Sequence, residues 1–191
     1  YHRNDIKSII NKGETESLRK FYERDKYSIL KQNSTFDDLK DLAQFWEDIA
    51  DQNSKRFSEN ILRKLFTLNY APNSMWNYFI SVYYMANRNK NGDLNAKEFE
   101  IFLDRTIAFI WGYAIINPGV NALRTPLFAE MLNIVNLNEV TFSEFKFNKE
   151  KTRSAIVIYD FKNGRPITKS ILALRMMLNN EQDLPKLSQQ F

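Results

Sequence analysis

The chain has 191 residues, of which 43% are hydrophobic and 26% charged, and its formal net charge is +4 at pH 7. These values are typical of one globular domain, or of one domain with a small appendage. The mild positive charge permits contact with nucleic acid without requiring it. The absence of cysteine excludes disulfides, thiolate metal sites and cysteine nucleophiles, and it favours a reducing, cytoplasmic compartment.

Three further features limit the possible classes of function. The single histidine, His2, lies at the edge of the chain, so histidine-based acid–base chemistry is not expected. The sequence contains no signal peptide and no apolar run of the ~20 residues that a membrane span needs, so no membrane partner is expected. The chain begins with Tyr1 rather than methionine, which favours a piece of a longer protein.

The first part of the chain predicts four helices. They cover residues 5–12, 14–32 and 36–50, followed by a helix that ends at Leu68. The polar residues 33–35 interrupt the pattern and offer an N-cap to the third helix. Ser54 or Ser58 offers an N-cap to the fourth helix. Its predicted inward face consists of Ile61, Leu62, Leu65 and Phe66.

Two apolar segments in the middle of the chain organise the predicted fold. Residues 75–86 are hydrophobic on nearly every side, and residues 96–113 begin amphipathic and become apolar towards Trp111. The polar loop 87–95 joins them. Neither helix is stable alone in water, so we expect other helices to cover both. Aromatic residues at this helical spacing are expected in the core rather than in a base-stacking site.

The pattern changes in the last third of the chain. Residues 117–119 (Asn-Pro-Gly) are a strong break, and Thr125 followed by Pro126 predicts a helix that ends near Val135. Residues 154–161 are β-branched and aromatic and precede Asn163-Gly164, which predicts a hairpin. A helix over 168–179 and a polar tail follow.

The predicted fold class is therefore mainly α, a multi-helix bundle with a small β-hairpin element near the C-terminus. The predicted domains are a helical bundle over residues 1–145 and an appendage over residues 146–191. In this prediction the appendage consists of the hairpin and one helix, and it packs on the bundle.

Residues 87–98 match the twelve-residue calcium loop of an EF-hand in spacing, with Gly92 at the sixth position and Glu98 at the twelfth. The first position is the amide Asn87, where EF-hands almost always have aspartate. Candidate ligands are Asn87, Asn89, Asn91, Asp93 and Glu98. The alternative is a helix–loop–helix turn in which Gly92 reverses the chain and Asn95 caps the next helix. We favour the turn, and we expect no metal and no cofactor.

Two charged features are candidates for contacts with partners. Asp104 and Arg105 interrupt an apolar helix, either to line a pocket or, as we favour, to share a solvated stripe with Glu100. Residues 146–169 are strongly basic and either contact phosphates or protect an exposed strand edge. The DNA-backbone candidates are Lys146, Lys149, Lys151, Arg153, Lys162, Arg165 and Lys169. No P-loop, dinucleotide, serine-hydrolase or zinc-protease motif is present, so no catalytic residue is assigned.

Several stretches form a pattern that resembles a known family. They are residues 42–46, 75–84, 99–111 with Asp104-Arg105, 117–123 leading into Phe128, and 151–153 entering residues 154–159. Over residues 36–158 the chain is similar to the helical region of GmrSD-type modification-dependent restriction proteins of bacteria. Those proteins have a ParB-like nuclease domain before the helices and an HNH nuclease domain after them. The DGQQR-like signature and the HNH histidines are absent here, so no catalytic residue is carried over.

The resemblance implies a non-catalytic helical module within a phage-defence nuclease. Its partners would be the flanking nuclease domains of the same chain and the DNA backbone, with the HNH motif placed after Phe191. A second hypothesis is a stand-alone helical protein-interaction domain without a DNA role. A third is a calcium-responsive protein that uses residues 87–98. The oligomeric state and the recognised DNA modification are left open by the sequence.

Overall fold

The computed structural model of the protein describes residues 18–71, 73–117, 122–143 and 145–157. In these ranges it has seven α-helices: α1 Leu18–Glu23, α2 Asn33–Ala50, α3 Glu59–Leu68, α4 Met75–Asn87, α5 Ala96–Ile116, α6 Arg124–Val135 and α7 Lys149–Val157. A 3₁₀ turn, Arg24–Lys26, follows α1. The mainly α fold class is confirmed for this part of the chain. None of the helices described is both long enough and apolar enough to cross a membrane.

The two apolar segments form the centre of the bundle, as predicted. Helix α4 packs against α2 and α6, while α5 packs against α3 and α7. The two central helices meet through aromatic rings, with Tyr83 of α4 stacked on Phe102 of α5 at a centroid distance of 3.8 Å. Full burial of one such ring contributes about 2–3 kcal/mol to the free energy of unfolding. The core is therefore organised by α4 and α5.

Helix α2 is fastened to α4 at both ends. Trp46 donates from its indole nitrogen to the hydroxyl of Ser81 at 3.0 Å. At the other end, Arg88 follows α4 and forms ion pairs with Asp38 and Asp41 of α2. The two helices therefore run antiparallel and leave the basic side chain of Arg88 directed towards α2.

The predicted helix over residues 14–32 is wrong after Glu23. Asp25, Lys26 and Tyr27 all have positive φ, between 47° and 64°, which a helix cannot accommodate. The polar residues 33–35, predicted to precede the next helix, lie inside the first turn of α2. The hydroxyl of Thr35 donates to the carbonyl of Ile29 at 2.6 Å, so this run joins the turn to α2.

Two other predicted helix starts have different outcomes. Ser58 caps α3, because its hydroxyl accepts from the N–H of Ile61 at 3.3 Å. Thr125 does not cap α6, since the helix begins one residue earlier, at Arg124, without a side-chain cap. Pro126 is nevertheless within the first turn, where its missing N–H has no helical acceptor.

The predicted strand over residues 154–161 is wrong at its start, because Ser154–Val157 belong to α7. Asn148 caps this helix by accepting from the N–H of Lys151 at 2.8 Å, and this local signal outweighs the β-propensity of the residues that follow. The rest of the predicted hairpin, residues 158–164, and the predicted helices over 5–12 and 168–179 lie outside the described residues. The domain boundary at 145/146 stays a prediction.

Candidate functional site

The loop between α4 and α5 (residues 88–95, the clamped loop) is held to the core at one carbonyl. The main-chain oxygen of Gly92 accepts a hydrogen bond from Nη2 of Arg56 at 2.6 Å and one from the hydroxyl of Tyr84 at 3.1 Å. Gly92 has φ +80°, and a Cβ there would lie 3.2 Å from the Tyr84 hydroxyl. Glycine is therefore required by both the backbone and the contact, which confirms the predicted reversal at this residue.

Arg56 is itself fixed by α2. Its guanidinium pairs with the buried Asp48, whose other carboxylate oxygen accepts from Nδ2 of Asn53 at 2.7 Å. The hydrogen bond from Asn53 and the neighbouring guanidinium lower the pKa of Asp48, although burial opposes ionisation. Burial is the largest single influence on Arg56 and opposes its charge, but the contacts with Asp48 and Tyr84 together outweigh burial and raise the pKa of Arg56. Both groups are therefore charged at neutral pH, and they tie α2 to the clamped loop.

Two of the amide oxygens that match the calcium spacing are engaged within the clamped loop. The side-chain oxygen of Asn89 accepts from the N–H groups of Asn91 and Asp93, at 2.8 and 3.0 Å. The side-chain oxygen of Asn95 caps α5 by accepting from two N–H groups of its first turn. Within the described ranges, no group of three or more His, Cys, Asp or Glu side chains is arranged to hold a metal ion. The geometry matches the capped turn that we favoured from the sequence.

Four exposed basic side chains lie within residues 146–153, and we call them together the basic surface. It consists of Lys146, Lys149, Lys151 and Arg153. None of the four forms an ion pair with an acidic residue in the described part of the chain. The other three DNA-backbone candidates, Lys162, Arg165 and Lys169, lie outside the described residues. The basic surface is therefore only the first part of the basic segment predicted from the sequence.

The basic surface has a rigid support. Phe142 stacks on Phe109 of α5 at a centroid distance of 4.2 Å, and Phe145 meets the same ring edge-on. Gly112 lets Phe145 approach α5 closely, since a Cβ there would lie 3.3 Å from that ring. The buried Thr152 then seats α7, and its hydroxyl donates to the carbonyl of Asn148. The four basic side chains are thus presented from a packed element.

Asp104 and Arg105 have separate roles. Asp104 and Glu100 both pair with Lys64 of α3, at 2.8 and 3.0 Å, which confirms the predicted solvated stripe. Arg105 turns the other way and pairs with Glu139 at 2.6 Å, and it also donates to the carbonyl of Val140. The alternative that one of this pair lines a pocket therefore holds for Arg105.

Arg105 lies in a groove of about 540 Å³ between α4, the first half of α5 and the segment after α6. This volume is in the range typical of ligand pockets. Its apolar lining residues include Ile101, Phe102, Ile134, Leu137 and Val140. Its charged residues are Glu98, Arg105 and Glu139. Glu98, one of the calcium candidates, thus faces the groove, as does Asn87.

Tyr83 is the aromatic residue of α4 that lines the groove. Its burial, together with the nearby charge of Glu98, raises its pKa to about 12. The hydroxyl therefore stays protonated throughout the physiological range. The groove accordingly offers neutral donors and acceptors beside charges of both signs.

The loop after α6 (residues 136–140, the exposed loop) begins with an unusual helix end. The N–H of Leu137 bonds to the carbonyl of Ile134, and the N–H of Asn138 to the carbonyl of Asn133, at 3.0 and 2.8 Å. This is a Schellman motif, which places Leu137 in the left-handed region at φ 60°, where glycine is usual. A leucine there costs about 1 kcal/mol relative to glycine. Its side chain is nevertheless 79% exposed.

The exposed loop is fixed from behind. The buried carboxylate of Glu130 accepts from Nδ2 of Asn133 at 3.0 Å and from the N–H of Thr141 at 3.2 Å. This groove wall was not predicted from the sequence, because no glycine or proline marks the end of α6. The sequence after α6 does contain one unusual pattern, a single leucine among polar residues. This pattern identifies a groove wall only when the α5 residues opposite it are known.

Compared with known proteins, the chain matches no family model, no curated protein and no solved structure. The comparisons therefore do not test the resemblance to GmrSD-type proteins. The chemistry available at this site follows from its own residues: four exposed basic side chains on one side, and a mixed-charge groove on another.

Proposed function

We propose that the chain is a non-catalytic helical module of a GmrSD-like restriction protein, and that it contacts the DNA backbone through the basic surface. In this function the helices hold two flanking nuclease domains at a fixed separation. The module itself supplies salt-dependent affinity without sequence readout, because contacts to phosphates carry no base information. The parent protein would act in phage defence.

The observation that carries the proposal is the exposure of four basic side chains within residues 146–153, opposed there only by Glu150. Lysine and arginine side chains without an acidic partner keep their charge available for phosphate oxygens. Lys149, Lys151 and Arg153 belong to α7, which packs on α5, and Lys146 lies just before this helix, so little ordering is needed when DNA binds. The mainly helical architecture agrees with the role of a spacer between domains.

The test is binding of the whole chain to duplex DNA over a range of salt concentrations, using duplexes with and without modified cytosines. Neutralisation of about four phosphates gives a slope of log K against log salt of about −3 to −4. Lys151→Ala and Arg153→Ala each reduce the steepness of that slope by about one. Lys90→Ala and Lys97→Ala remove exposed basic residues outside the basic surface and are the matched controls, with an unchanged slope.

Two results contradict the DNA role. One is the absence of binding at low salt by a chain that thermal unfolding shows to be folded. The other is a salt slope that the control substitutions reduce as much as Lys151→Ala and Arg153→Ala do. The family assignment is tested separately, by reading the coding sequence on both sides of the chain for the ParB-like and HNH motifs.

A protein-interaction domain without a DNA role is the second candidate function. The observation that favours it is the groove, which combines apolar residues with charges of both signs. Its neighbouring loop also exposes a leucine. Retention of a protein partner together with no affinity for DNA at low salt identifies this function in place of the first.

A further inference from the structure

The conformation of Leu137 is not explained by the stability of a single copy of the chain. Its left-handed backbone conformation favours glycine, and its side chain is 79% exposed, so it contributes little to the core. Residues in strained backbone conformations are concentrated at functional surfaces. The hydrogen bonds of the helix end and of Glu130 fix the loop, so the leucine is presented rather than loosely placed.

The surface beside Leu137 is concave. The groove of about 540 Å³ contains more space than one leucine side chain fills, and Leu137 itself forms part of its wall. Ile101 of α5 is 44% exposed there, and it offers an apolar contact within the groove. A projecting apolar residue and an apolar hollow therefore lie side by side on one face.

The charges at this face are also of both signs. Arg105 is 43% exposed and pairs with Glu139, while Glu98 is exposed and forms no ion pair with a described residue. A ligand carrying charge of a single sign would meet repulsion at one part of this face. A surface with charges of both signs can form ion pairs with a copy of itself. A two-fold interface requires this, because each copy presents the same patch to the other.

We propose that this face is the dimer interface of the protein, with a second copy of this chain as its occupant. Leu137 of each copy enters the groove of the other and contacts Ile101. Arg105 of each copy meets an acidic residue, Glu98 or Glu139, across the two-fold axis. This inference goes beyond the proposed DNA contact, which uses a different surface and does not depend on dimerisation.

The test is the molar mass of the whole chain in solution, measured by sedimentation between about 1 μM and about 100 μM, where dimers with micromolar Kd dissociate. The wild-type chain is expected to change from monomer to dimer over this range. Leu137→Gly is expected to raise the dimer Kd at least about tenfold, because a central apolar anchor is lost. Its Tm, measured at low concentration, does not fall and rises by up to about 3 °C.

A second variant and a control complete the test. Ile101→Glu places a charge inside the groove and is expected to abolish the dimer, since an unpaired charge is costly in a buried interface. Phe36→Ala removes a side chain that is 72% exposed on α2, away from the groove, and leaves the Kd unchanged. A wild-type chain that stays monomeric throughout the range overturns the proposal. A dimer that persists unchanged in Leu137→Gly and Ile101→Glu also overturns it, because that dimer forms through another surface.

Discussion

The clamped loop and the exposed loop each contain one residue with positive φ, but the two residues differ in type and in their surroundings. In the clamped loop that residue is Gly92, at φ +80°, and its carbonyl is bound by two side chains of the core. In the exposed loop it is Leu137, at φ 60°, with its side chain in solvent. The first loop has the residue that its backbone prefers, and the second does not.

We interpret this difference as one between a loop that stabilises the fold and a loop that contacts a partner. The clamped loop connects the two central helices, and its anchors, the partly buried Arg56 and the buried Tyr84, stabilise the fold. The exposed loop also has main-chain hydrogen bonds. The side chain of Leu137, its residue in the left-handed conformation, is mostly exposed and therefore contributes little to the stability of the monomer. We expect substitutions in the clamped loop and its anchors to act on stability, and those in the exposed loop to act on association.

The largest effect is expected at Arg56. Arg56→Met keeps the length of the side chain but leaves Asp48 without its guanidinium and removes one donor from Gly92. We expect a decrease of about 2–3 kcal/mol in the free energy of unfolding, measured with urea. Arg105→Met removes a more exposed ion pair and is the matched control, with an expected decrease below about 1 kcal/mol.

The pH dependence of the same pair gives an independent check. The pKa of Asp48 is lower in the folded protein than the ordinary value of 3.8, so the stabilisation is present above that value. It is lost as the pH falls below about 3.8, because folding then requires an ionised carboxylate that the unfolded chain has protonated. Asp48→Asn should make the free energy of unfolding less dependent on pH below about 3.8.

Equal losses of unfolding free energy in Arg56→Met and Arg105→Met would contradict the first prediction, because the pair of Arg56 and Asp48 would then be no stronger than a surface ion pair.

The next effect is expected at Gly92. Gly92→Ala forces a Cβ into the left-handed region and to within 3.2 Å of the Tyr84 hydroxyl, so we expect a loss of about 1–2 kcal/mol. Gly112→Ala is the control: its new Cβ meets Phe145 at 3.3 Å, but a gain in helix propensity of about 1 kcal/mol offsets that contact. A Gly92→Ala protein as stable as the wild type would show that the clamped loop is free to move. That result would contradict the restraint by Arg56 and Tyr84.

The two loops also differ in how far the sequence predicted them. Gly92 and the cap at Asn95 were predicted because their signals are local: a glycine for the reversal and an asparagine before an apolar run. The anchor Arg56 was not predicted, since it is 36 residues from Gly92 and only the packing of α2 and α4 brings them together. The last four residues of α7, 154–157, were predicted as the start of a strand because β-branched and aromatic residues follow, whereas the cap at Asn148 favours a helix. The groove was missed because its walls come from three separate elements.

The smallest effect is expected from Tyr83, which lines the groove, and it contrasts with its neighbour Tyr84, which binds the clamped loop. Tyr84→Phe removes the hydrogen bond to Gly92 and should cost about 1 kcal/mol at neutral pH. The Tyr83 hydroxyl forms no hydrogen bond with a described residue, so Tyr83→Phe should be nearly neutral at that pH. The two adjacent tyrosines thus report on the two regions separately.

At alkaline pH the order is expected to reverse. The pKa of Tyr83 is raised from 10.0 to about 12 in the folded protein, so between these values the unfolded chain loses the phenolic proton more readily. The free energy of unfolding therefore falls as the pH rises through this window. Because Tyr83→Phe lacks that contribution, its decline should be smaller by about 1–2 kcal/mol, allowing for partial exposure of the ring. Urea unfolding at pH values from about 9 to about 12 measures the difference. Parallel declines in the two proteins would place the Tyr83 hydroxyl in free contact with water, and the groove floor would then be far more open than its ring stacking on Phe102 indicates.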